Sequence, residues 1–184
     1  MPVEAPEYYK GAGGVFVDGS YDLLVNNSRW GNLNDPDVTV DPESLRNTSF
    51  IKMAYMRLAK AFVNQYRFEE AVAVMDKCQE FFPDEKIPYG FYYEGYFPEL
   101  YYKAGATEKG DEVLMKIANN AIDELRYYKT LKPKFIEYYK DDIHDALSLV
   151  NTMADTAKRC RRYDIQAELD QVVNDYLDCF IQYL

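Results

Sequence analysis

The chain has 184 residues, of which 48% are hydrophobic, and its formal net charge at neutral pH is −10. This length and apolar content exclude a largely disordered chain and are typical of one domain with a sizeable core. The acidic balance argues against nucleic acid or an anionic membrane surface as the main partner, because both reward clusters of lysine and arginine.

Residues 1–40 differ in composition from the rest of the chain and are predicted to form an irregular arm. They contain five of the nine glycines together with the polar, turn-forming run NNSRWGNLNDPD. Residues 38–40, Val-Thr-Val, allow at most a very short strand. Trp30, the single tryptophan, is expected to hold the arm against the helices by burying its ring.

The first helix is predicted to begin at Asp41 and Pro42. Aspartate can cap a helix and proline suits its first turn, although the Asn-Thr-Ser run at 47–49 offers a rival start. Apolar residues then recur at steps of three and four as far as a break near Tyr66. A second helix is expected to follow and to stop at Pro83, since proline removes a donor and clashes with the preceding turn.

This first pair of helices fits the tetratricopeptide template, which requires large, small and aromatic residues at fixed offsets. Small residues matter at two positions, Ala59 and Ala71, because the two helix axes must approach closely there. The residues at the template positions are Tyr55, Leu58, Ala59, Phe62, Ala71, Met75 and Pro83.

Two further pairs are predicted to follow. In the second pair, Gly105 makes the turn and Thr107 caps the next helix. In the third, Pro133 opens a long helix, and a final helix follows the polar residues 161–164. The sequence therefore predicts an all-α fold of tetratricopeptide-like helical hairpins, with six helices in three antiparallel pairs, in a domain spanning 41–184.

Tyrosine is unusually frequent, with 18 residues, and the tripeptide Tyr-Tyr-Lys occurs at 8–10, 101–103, 127–129 and 138–140. Adjacent tyrosines on a helix lie about 100° apart, so one ring can pack inward while its neighbour meets water. The motif is compatible with two roles. The rings either fill gaps in a helical repeat or form a stacking platform for sugars or peptides.

No catalytic centre, metal site or cofactor is predicted. His144 is the only histidine and is expected on a solvated helix face beside acidic neighbours. The oxygen-rich stretch 32–41 lacks the spacing of an EF-hand loop, so we interpret it as turn-forming. The three cysteines are too few and too scattered for a disulfide framework. Neither a run of roughly 18–20 apolar residues nor a signal-peptide pattern occurs, so a soluble chain is expected.

Stacked helical hairpins present a concave face formed by the first helix of each pair, and ligands usually lie there. An extended peptide or glycan in this groove would stack on tyrosine and form hydrogen bonds with lysine and asparagine side chains. By register with the template, the candidate groove residues are Met56, Lys60, Asn64, Tyr92, Glu99 and Lys103.

Two blocks of the sequence are similar to a known family. They are SYDLLVNNSRWGNLNDPDVTVD at 20–41, and MRLAKAFVNQYRFEEAVAVMDKCQEFFPDEKIPY at 56–89 followed by YYKAGATEKGDEVL at 101–114. The Trp-Gly and Asp-Pro elements of the arm precede the Tyr-Tyr-Lys-Ala-Gly hairpin in the same order. On these elements, residues 18–140 resemble the C-terminal region of bacterial multi-pass membrane proteins related to the transmembrane protein O-mannosyltransferases.

The resemblance implies that a membrane-embedded glycosyltransferase module precedes this chain and that the chain is its extracytoplasmic, periplasmic tail. The family's catalytic acidic residues lie in the membrane part, so none is carried over. We therefore expect a non-catalytic module that binds a protein or peptide segment, a glycan, or its own upstream membrane domain. Two alternatives stay open: a stand-alone hydrolase or transferase with an unrecognised site, and a purely structural tail that packs on the membrane domain.

Overall fold

The computed structural model describes residues 14–88 and 94–183, and in these ranges the chain is helical and contains no β-strand. The all-α class predicted from the sequence is therefore confirmed. None of the helices in these ranges has both the length and the apolar character required to cross a membrane. The α-helices are α1 (Val17–Tyr21), α2 (Pro42–Asn64), α3 (Phe68–Phe81), α4 (Phe97–Lys103), α5 (Thr107–Lys129), α6 (Pro133–Ile136), α7 (Lys140–Arg159) and α8 (Tyr163–Phe180).

The chain forms two compact units, Met1–Gly110 and Asp111–Leu184. The first contains α1 to α4 and the second contains α6 to α8, while α5 begins in the first and continues in the second. The arm boundary predicted at residue 40 lies inside the first unit, because the arm packs on α2 and α3.

Helix α2 begins where the sequence predicts. The Oδ1 atom of Asp41 accepts hydrogen bonds from the backbone amides of Glu43 at 3.0 Å and Ser44 at 3.1 Å. Pro42 occupies the first turn. Hydrogen bonds from the Ser44 hydroxyl and from these amides lower the pKa of Asp41, since the charged carboxylate is the better acceptor. The rival start at 47–49 lies inside the helix.

Helices α2 and α3 pack against each other across the predicted break, which has the form of a Schellman turn. The amide of Arg67 donates to the carbonyl of Phe62 at 3.0 Å, and the amide of Tyr66 donates to that of Val63 at 3.0 Å. Tyr66 has a φ of 60°, a left-handed conformation that residues other than glycine rarely adopt. The guanidinium of Arg67 lies 4.5 Å from the centre of the Phe62 ring, at the place where this motif usually has an apolar contact.

The same kind of turn recurs between α7 and α8, where Arg161 has a φ of 61°. In both of these turns, the residue after the left-handed position is an arginine that pairs with a carboxylate. Arg67 pairs with Asp18 of α1 at 2.7 Å, and Arg162 pairs through two nitrogens with Asp111 of α5, both at 2.7 Å. Each turn therefore links its helix pair to a further helix of the same unit.

The core of the first unit contains the residues that the template places between the first two helices. Ala59 and Ala71 are both 0% exposed, in agreement with the close approach expected of their helices. The fully buried template residues are Tyr55, Leu58, Ala59, Phe62, Ala71 and Met75.

Lys52 of α2 is buried as well, although a lysine in an amphipathic helix is normally expected at the surface. Its side chain is 1% exposed, and its Nζ donates to the carbonyl of Ile87 at 2.9 Å. This hydrogen bond ties α2 to the segment that follows α3.

Part of the arm is helical, so the prediction of an irregular arm is wrong for α1 and for the segment after it. Helix α1 runs directly into a π-helical segment, Asp22–Asn27. Side chains close its end: Asn27 Nδ2 donates to the carbonyl of Asp22 at 3.0 Å, and Ser28 Oγ donates to that of Leu23 at 2.7 Å. The sequence predicts turns for this polar run, but its first residues supply the hydrogen bonds that end a helix.

The arm is held by the hydroxyl of Tyr55, a fully buried residue of α2. That hydroxyl accepts a hydrogen bond from Trp30 Nε1 at 3.0 Å and donates one to the carbonyl of Leu24 at 2.7 Å. The ring centres of Trp30 and Phe82 lie 5.8 Å apart, so Trp30 fastens the arm as predicted. Burial raises the pKa of Tyr55 to about 12.

Helix α4 ends in the turn that the sequence predicts. Gly105 has a φ of 81°, and the amide of Ala106 donates to the carbonyl of Tyr101 at 2.9 Å. Helix α5 begins at Thr107, and the carbonyl of Ala106 accepts its first hydrogen bond, from the amide of Gly110 at 3.0 Å. The cap position therefore falls on Ala106, and the cap predicted at Thr107 is wrong by one residue.

The single long helix predicted from Pro133 is wrong, because three segments take its place. Helix α6 ends at Ile136, a 3₁₀ turn spans Glu137–Tyr139, and α7 starts at Lys140. Ile136 and Ile143 are both buried, at the seven-residue spacing of one continuous stripe. A 3₁₀ turn advances about 120° per residue against about 100° in an α-helix, so a short one leaves the apolar pattern nearly unchanged.

Helices α7 and α8 pack against each other and supply much of the core of the second unit, so the final helix predicted from the sequence is confirmed. The buried apolar residues of the two helices are Ile143, Ala146, Leu147, Leu149, Val150, Met153, Ala154, Ala157, Ile165, Leu169 and Phe180.

Replacement of Gly105 by alanine is predicted to lower the free energy of unfolding by about 1 kcal/mol. Nothing lies within 4 Å of the place where the new Cβ would be, so the cost is that of the left-handed backbone alone. Chemical denaturation measures the change. Gly105→Asn is the control, because asparagine tolerates this conformation and should lose clearly less stability. Equal losses in the two variants would contradict the assignment.

Tyr55→Phe is predicted to lower the free energy of unfolding by about 1–3 kcal/mol, because Trp30 Nε1 and the Leu24 carbonyl lose their partner. Since Trp30 is the only tryptophan, its fluorescence reports on the arm and should shift to longer wavelength before global unfolding. The matched control is Tyr101→Phe, which loses a hydrogen bond to Asp76 of 2.9 Å instead. The control should destabilise the fold without moving the emission, and an identical response of both variants would refute the arm contact.

Candidate interaction surface

The predicted groove residues of α2 differ in exposure. Met56 is 0% exposed and belongs to the core, so its placement on a ligand-facing groove is wrong. The helix is covered on more sides than a repeat helix that lines a groove, since the arm packs on it as well as α3 and α4. Lys60 is partly exposed and Asn64 is exposed.

The groove residues predicted from the second pair give a similarly divided result. Glu99 and Lys103, one turn apart on α4, form an ion pair with each other. Tyr92 lies outside the described residues. The predicted groove therefore stays a hypothesis for Lys60, Asn64 and this ion pair.

The copies of the Tyr-Tyr-Lys motif have different environments. The copy at 8–10 lies outside the described residues. In the copy at 101–103, Tyr101 is fully buried, and its hydroxyl donates to Asp76 Oδ1 at 2.9 Å and accepts from Gln79 Nε2 at 2.5 Å. This tyrosine fills the core, which is one of the two roles considered from the sequence.

The third and fourth copies meet in the second unit and expose their rings. The ring centres of Tyr127 and Tyr128 lie 5.6 Å apart, those of Tyr128 and Tyr139 5.4 Å, and those of Tyr139 and Tyr138 5.2 Å. We call these four residues the tyrosine row. Its ends are the most open, with Tyr127 57% exposed and Tyr138 80% exposed. The row is a continuous aromatic surface that solvent reaches at both ends.

Two local features position the row. The last turn of α5 carries one half, and the Thr130 hydroxyl that follows it donates to the carbonyl of Tyr127 at 2.7 Å. The 3₁₀ turn between α6 and α7 carries the other half. Two of the four rings therefore lie in the 3₁₀ turn Glu137–Tyr139, a helix break that the apolar periodicity of the sequence does not predict.

Two carboxylates lie beside the row. Glu124 precedes Tyr128 by four residues and Asp142 follows Tyr139 by three, so each shares a helix face with its tyrosine. Burial, and then the nearby Asp142, raise the pKa of Glu124. Burial also raises the pKa of Tyr128, and the charges of Glu124 and Asp142 add to the effect. Both carboxylates are thus within electrostatic reach of the Tyr128 hydroxyl.

Neither carboxylate has an ion pair or a side-chain hydrogen bond with another residue of the described part of the chain. Cations close in sequence are engaged elsewhere. Arg126 pairs with Asp123, and the Nζ of Lys129 lies 5.7 Å from the ring centre of Tyr176. Lys140, which directly follows Tyr139, is exposed. The surface therefore combines open aromatic faces with unpaired negative charge.

Other residues singled out from the sequence have ordinary structural environments. His144 is exposed on α7, and its Nδ1 lies 3.8 Å from Asp145 Oδ1. In the oxygen-rich stretch before α2, Asp35 Oδ1 accepts a hydrogen bond from the amide of Asp37 at 3.0 Å, and Asp41 caps the helix. Within the described part of the chain, no three His, Cys, Asp or Glu side chains gather closely enough to hold a metal ion.

Comparison with known proteins leaves the family open. The chain matches no model of a protein family, no curated protein and no solved structure. The resemblance to proteins related to the transmembrane O-mannosyltransferases therefore stays a prediction.

The Tyr-Tyr-Lys copies are visible in the sequence, but their recurrence alone does not predict that two of them form one surface. The signal is a pair of mirrored motifs, Glu-x-x-Tyr-Tyr at 124–128 and Tyr-Tyr-x-x-Asp at 138–142. In each, the carboxylate lies one helical turn from the rings. Joined by a short link that reverses the chain, such motifs can bring rings to rings and carboxylate to carboxylate.

Glu124→Gln is predicted to raise the melting temperature at neutral pH, because burial and Asp142 disfavour the ionised carboxylate in the folded state. A raised pKa means that the folded state holds the proton more tightly than the unfolded state. The stability cost therefore appears as the pH rises through the folded-state pKa and is lost below the ordinary value of 4.5.

Thermal unfolding of Glu124→Gln and of the unaltered chain over a pH series measures this difference. Glu168→Gln, on the exposed face of α8, is the control and should change little at any pH. A variant of Glu124 that is less stable than the unaltered chain at neutral pH would show that the carboxylate has a stabilising partner.

Proposed function

We propose that this chain is a non-catalytic interaction module that binds a segment of another protein through the tyrosine row. The observation that carries the proposal is the exposure of Tyr127 and Tyr138, in contrast to the complete burial of Tyr55 and Tyr101. Large aromatic rings that cluster at a surface are typical of recognition sites, where tyrosine contributes much of the binding energy.

The construction of the row supports a role in binding. Its inner rings, Tyr128 and Tyr139, are half-buried. Its four residues belong to the last turn of α5 and to the 3₁₀ turn before α7. Rings held in this way lose little conformational entropy when a ligand covers them. A tyrosine surface of this kind can bind without a deep pocket.

We also propose that the helix pairs are tetratricopeptide-like repeats. Three observations support this. The template residues of α2 and α3 lie in the core, small Ala59 and Ala71 are among them, and the same Schellman turn joins α2 to α3 and α7 to α8. In such repeats each helix pair completes its core by stacking on a neighbour, and the remaining surface is free for partners.

For the cellular setting we propose the extracytoplasmic, periplasmic tail of a glycosyltransferase-like membrane protein. The support is the resemblance of residues 18–140. In that setting the bound segment belongs to an acceptor protein or to the membrane domain of the same protein. The coding sequence upstream of this chain tests the setting: about ten apolar segments of roughly 20 residues each support it, and a different upstream sequence contradicts it.

A glycan is the second candidate ligand, and one observation favours it. The rings of Tyr128 and Tyr139 are tilted by only 30° to each other, and the charges of Glu124 and Asp142 act on Tyr128. The apolar faces of sugars can pack on aromatic rings, and their hydroxyl groups can donate hydrogen bonds to carboxylates.

The double variant Tyr127→Ala and Tyr138→Ala is predicted to bind the ligand of the unaltered chain with an affinity at least about tenfold lower. Each exposed ring contributes on the order of 1 kcal/mol to binding. The labelled chain is applied to an array of short peptides of all charge classes and to a glycan array. The affinities of the positive features are then measured in solution for both proteins.

Tyr163→Ala is the matched control, because Tyr163 is a tyrosine of the same unit that is 61% exposed and lies outside the row. It should bind as the unaltered chain does, and all variants should keep their melting temperatures within a few degrees. The proposal fails if the chain binds no peptide or glycan on the arrays. It also fails if the double variant binds every such ligand as tightly as the unaltered chain does.

A further inference from the structure

We infer that the tyrosine row binds an extended peptide with arginine at alternate positions, whose guanidinium groups stack on the rings and pair with Glu124 and Asp142. This inference rests on the proposed function and specifies its ligand. It follows from the charge beside the row, from the contacts that the chain makes elsewhere, and from the spacing of the rings.

The charge beside the row selects a cation. The faces of tyrosine rings carry partial negative charge and attract cations. Glu124 and Asp142 add two carboxylates that have no ion pair with any other described residue. A neutral or anionic ligand would cover these charges without compensating them, whereas a cation satisfies the rings and the carboxylates together.

The chain pairs cations with aromatic rings at other places. Arg67 lies 4.5 Å from the centre of the Phe62 ring, and Lys77 lies 4.7 Å from that of Phe81. Among the described residues, none of the chain's own cations lies over a ring of the tyrosine row. The faces of the row are therefore not covered by a cation from the described part of the chain.

Arginine fits this surface better than lysine. Its guanidinium is planar and can stack on a ring while its edge donates two parallel hydrogen bonds to a carboxylate. A lysine ammonium is a more strongly hydrated point charge and loses more on leaving water.

The spacing of the rings favours an extended peptide. Neighbouring ring centres in the row lie between 5.2 and 5.6 Å apart. In an extended chain, side chains on one face are separated by about 6.5 Å, since each residue advances about 3.3 Å. Two arginines at alternate positions are thus spaced about 1 Å wider than two neighbouring ring centres, a difference that the flexible arginine side chains can absorb over one pair of rings.

The overall charge of the chain supports a basic partner. A net charge of −10 attracts a cationic segment at long range and raises its rate of encounter. The same charge disfavours a second copy of this chain as the occupant, because two acidic molecules repel each other.

The test is the binding of a labelled peptide, Gly-Ser-Arg-Gly-Arg-Gly-Ser, to the 184-residue chain, measured by fluorescence anisotropy at low ionic strength. A second peptide replaces both arginines by citrulline, which keeps the planar shape and removes the charge. A third peptide replaces both arginines by lysine. We expect the citrulline peptide to bind at least about tenfold more weakly than the arginine peptide, and the lysine peptide about threefold more weakly.

Variants of the chain identify the surface. Glu124→Gln with Asp142→Asn should weaken binding of the arginine peptide by about fivefold or more. The melting temperature should stay within a few degrees, although Asp142 lies in the first turn of α7, where a negative charge is favourable. Glu168→Gln is the charge control and Tyr163→Ala the aromatic control, and neither should change the affinity beyond the small effect of net charge. Loss of affinity together with a nearly unchanged melting temperature is a result that a purely structural role would not give.

The outcomes separate the two proposals. If the citrulline peptide binds as well as the arginine peptide, or if a neutral glycan is the ligand that depends on the row, the inference falls and the interaction module stands. If binding of the arginine peptide and of every array compound is independent of Tyr127 and Tyr138, both the proposed function and this inference fall. Arginine binding that persists in the carboxylate variant overturns the inference.

Discussion

A tyrosine ring can be buried in this fold only where its hydroxyl has a hydrogen-bond partner, because a buried unpaired hydroxyl costs about 1–3 kcal/mol. Tyr55 meets this condition through Trp30 and the Leu24 carbonyl, and these bonds join the arm to α2. Tyr101 meets it through Asp76, which joins α4 to α3. The hydroxyl of Tyr55 thus links the arm to α2, and the hydroxyl of Tyr101 links α4 to α3.

The tyrosine row reflects the same constraint in the second unit. Its rings pack against one another, and the inner members, Tyr128 and Tyr139, are less exposed than the end members, Tyr127 and Tyr138. Glu124 is held where burial and Asp142 raise its pKa, so its charge does not favour the folded state.

Local signals in the sequence predict the parts of the fold that depend on adjacent residues. The cap at Asp41 and the left-handed turn at Gly105 are of this kind, and both are confirmed. The parts that were missed depend on distant residues. Lys52 is buried because a carbonyl 35 residues further along accepts its hydrogen bond. The mirrored motifs at 124–128 and 138–142 are visible in the sequence, but only the fold of their link shows that the rings meet.

Nuclear magnetic resonance of the chain with labelled tyrosine rings, titrated with the arginine peptide, tests the central claim most directly. The account predicts that the largest changes in chemical shift fall on Tyr127, Tyr128, Tyr138 and Tyr139, and that the ring of Tyr163 stays unchanged. Changes spread evenly over all exposed tyrosines, or centred on Tyr55 of α2, would contradict it.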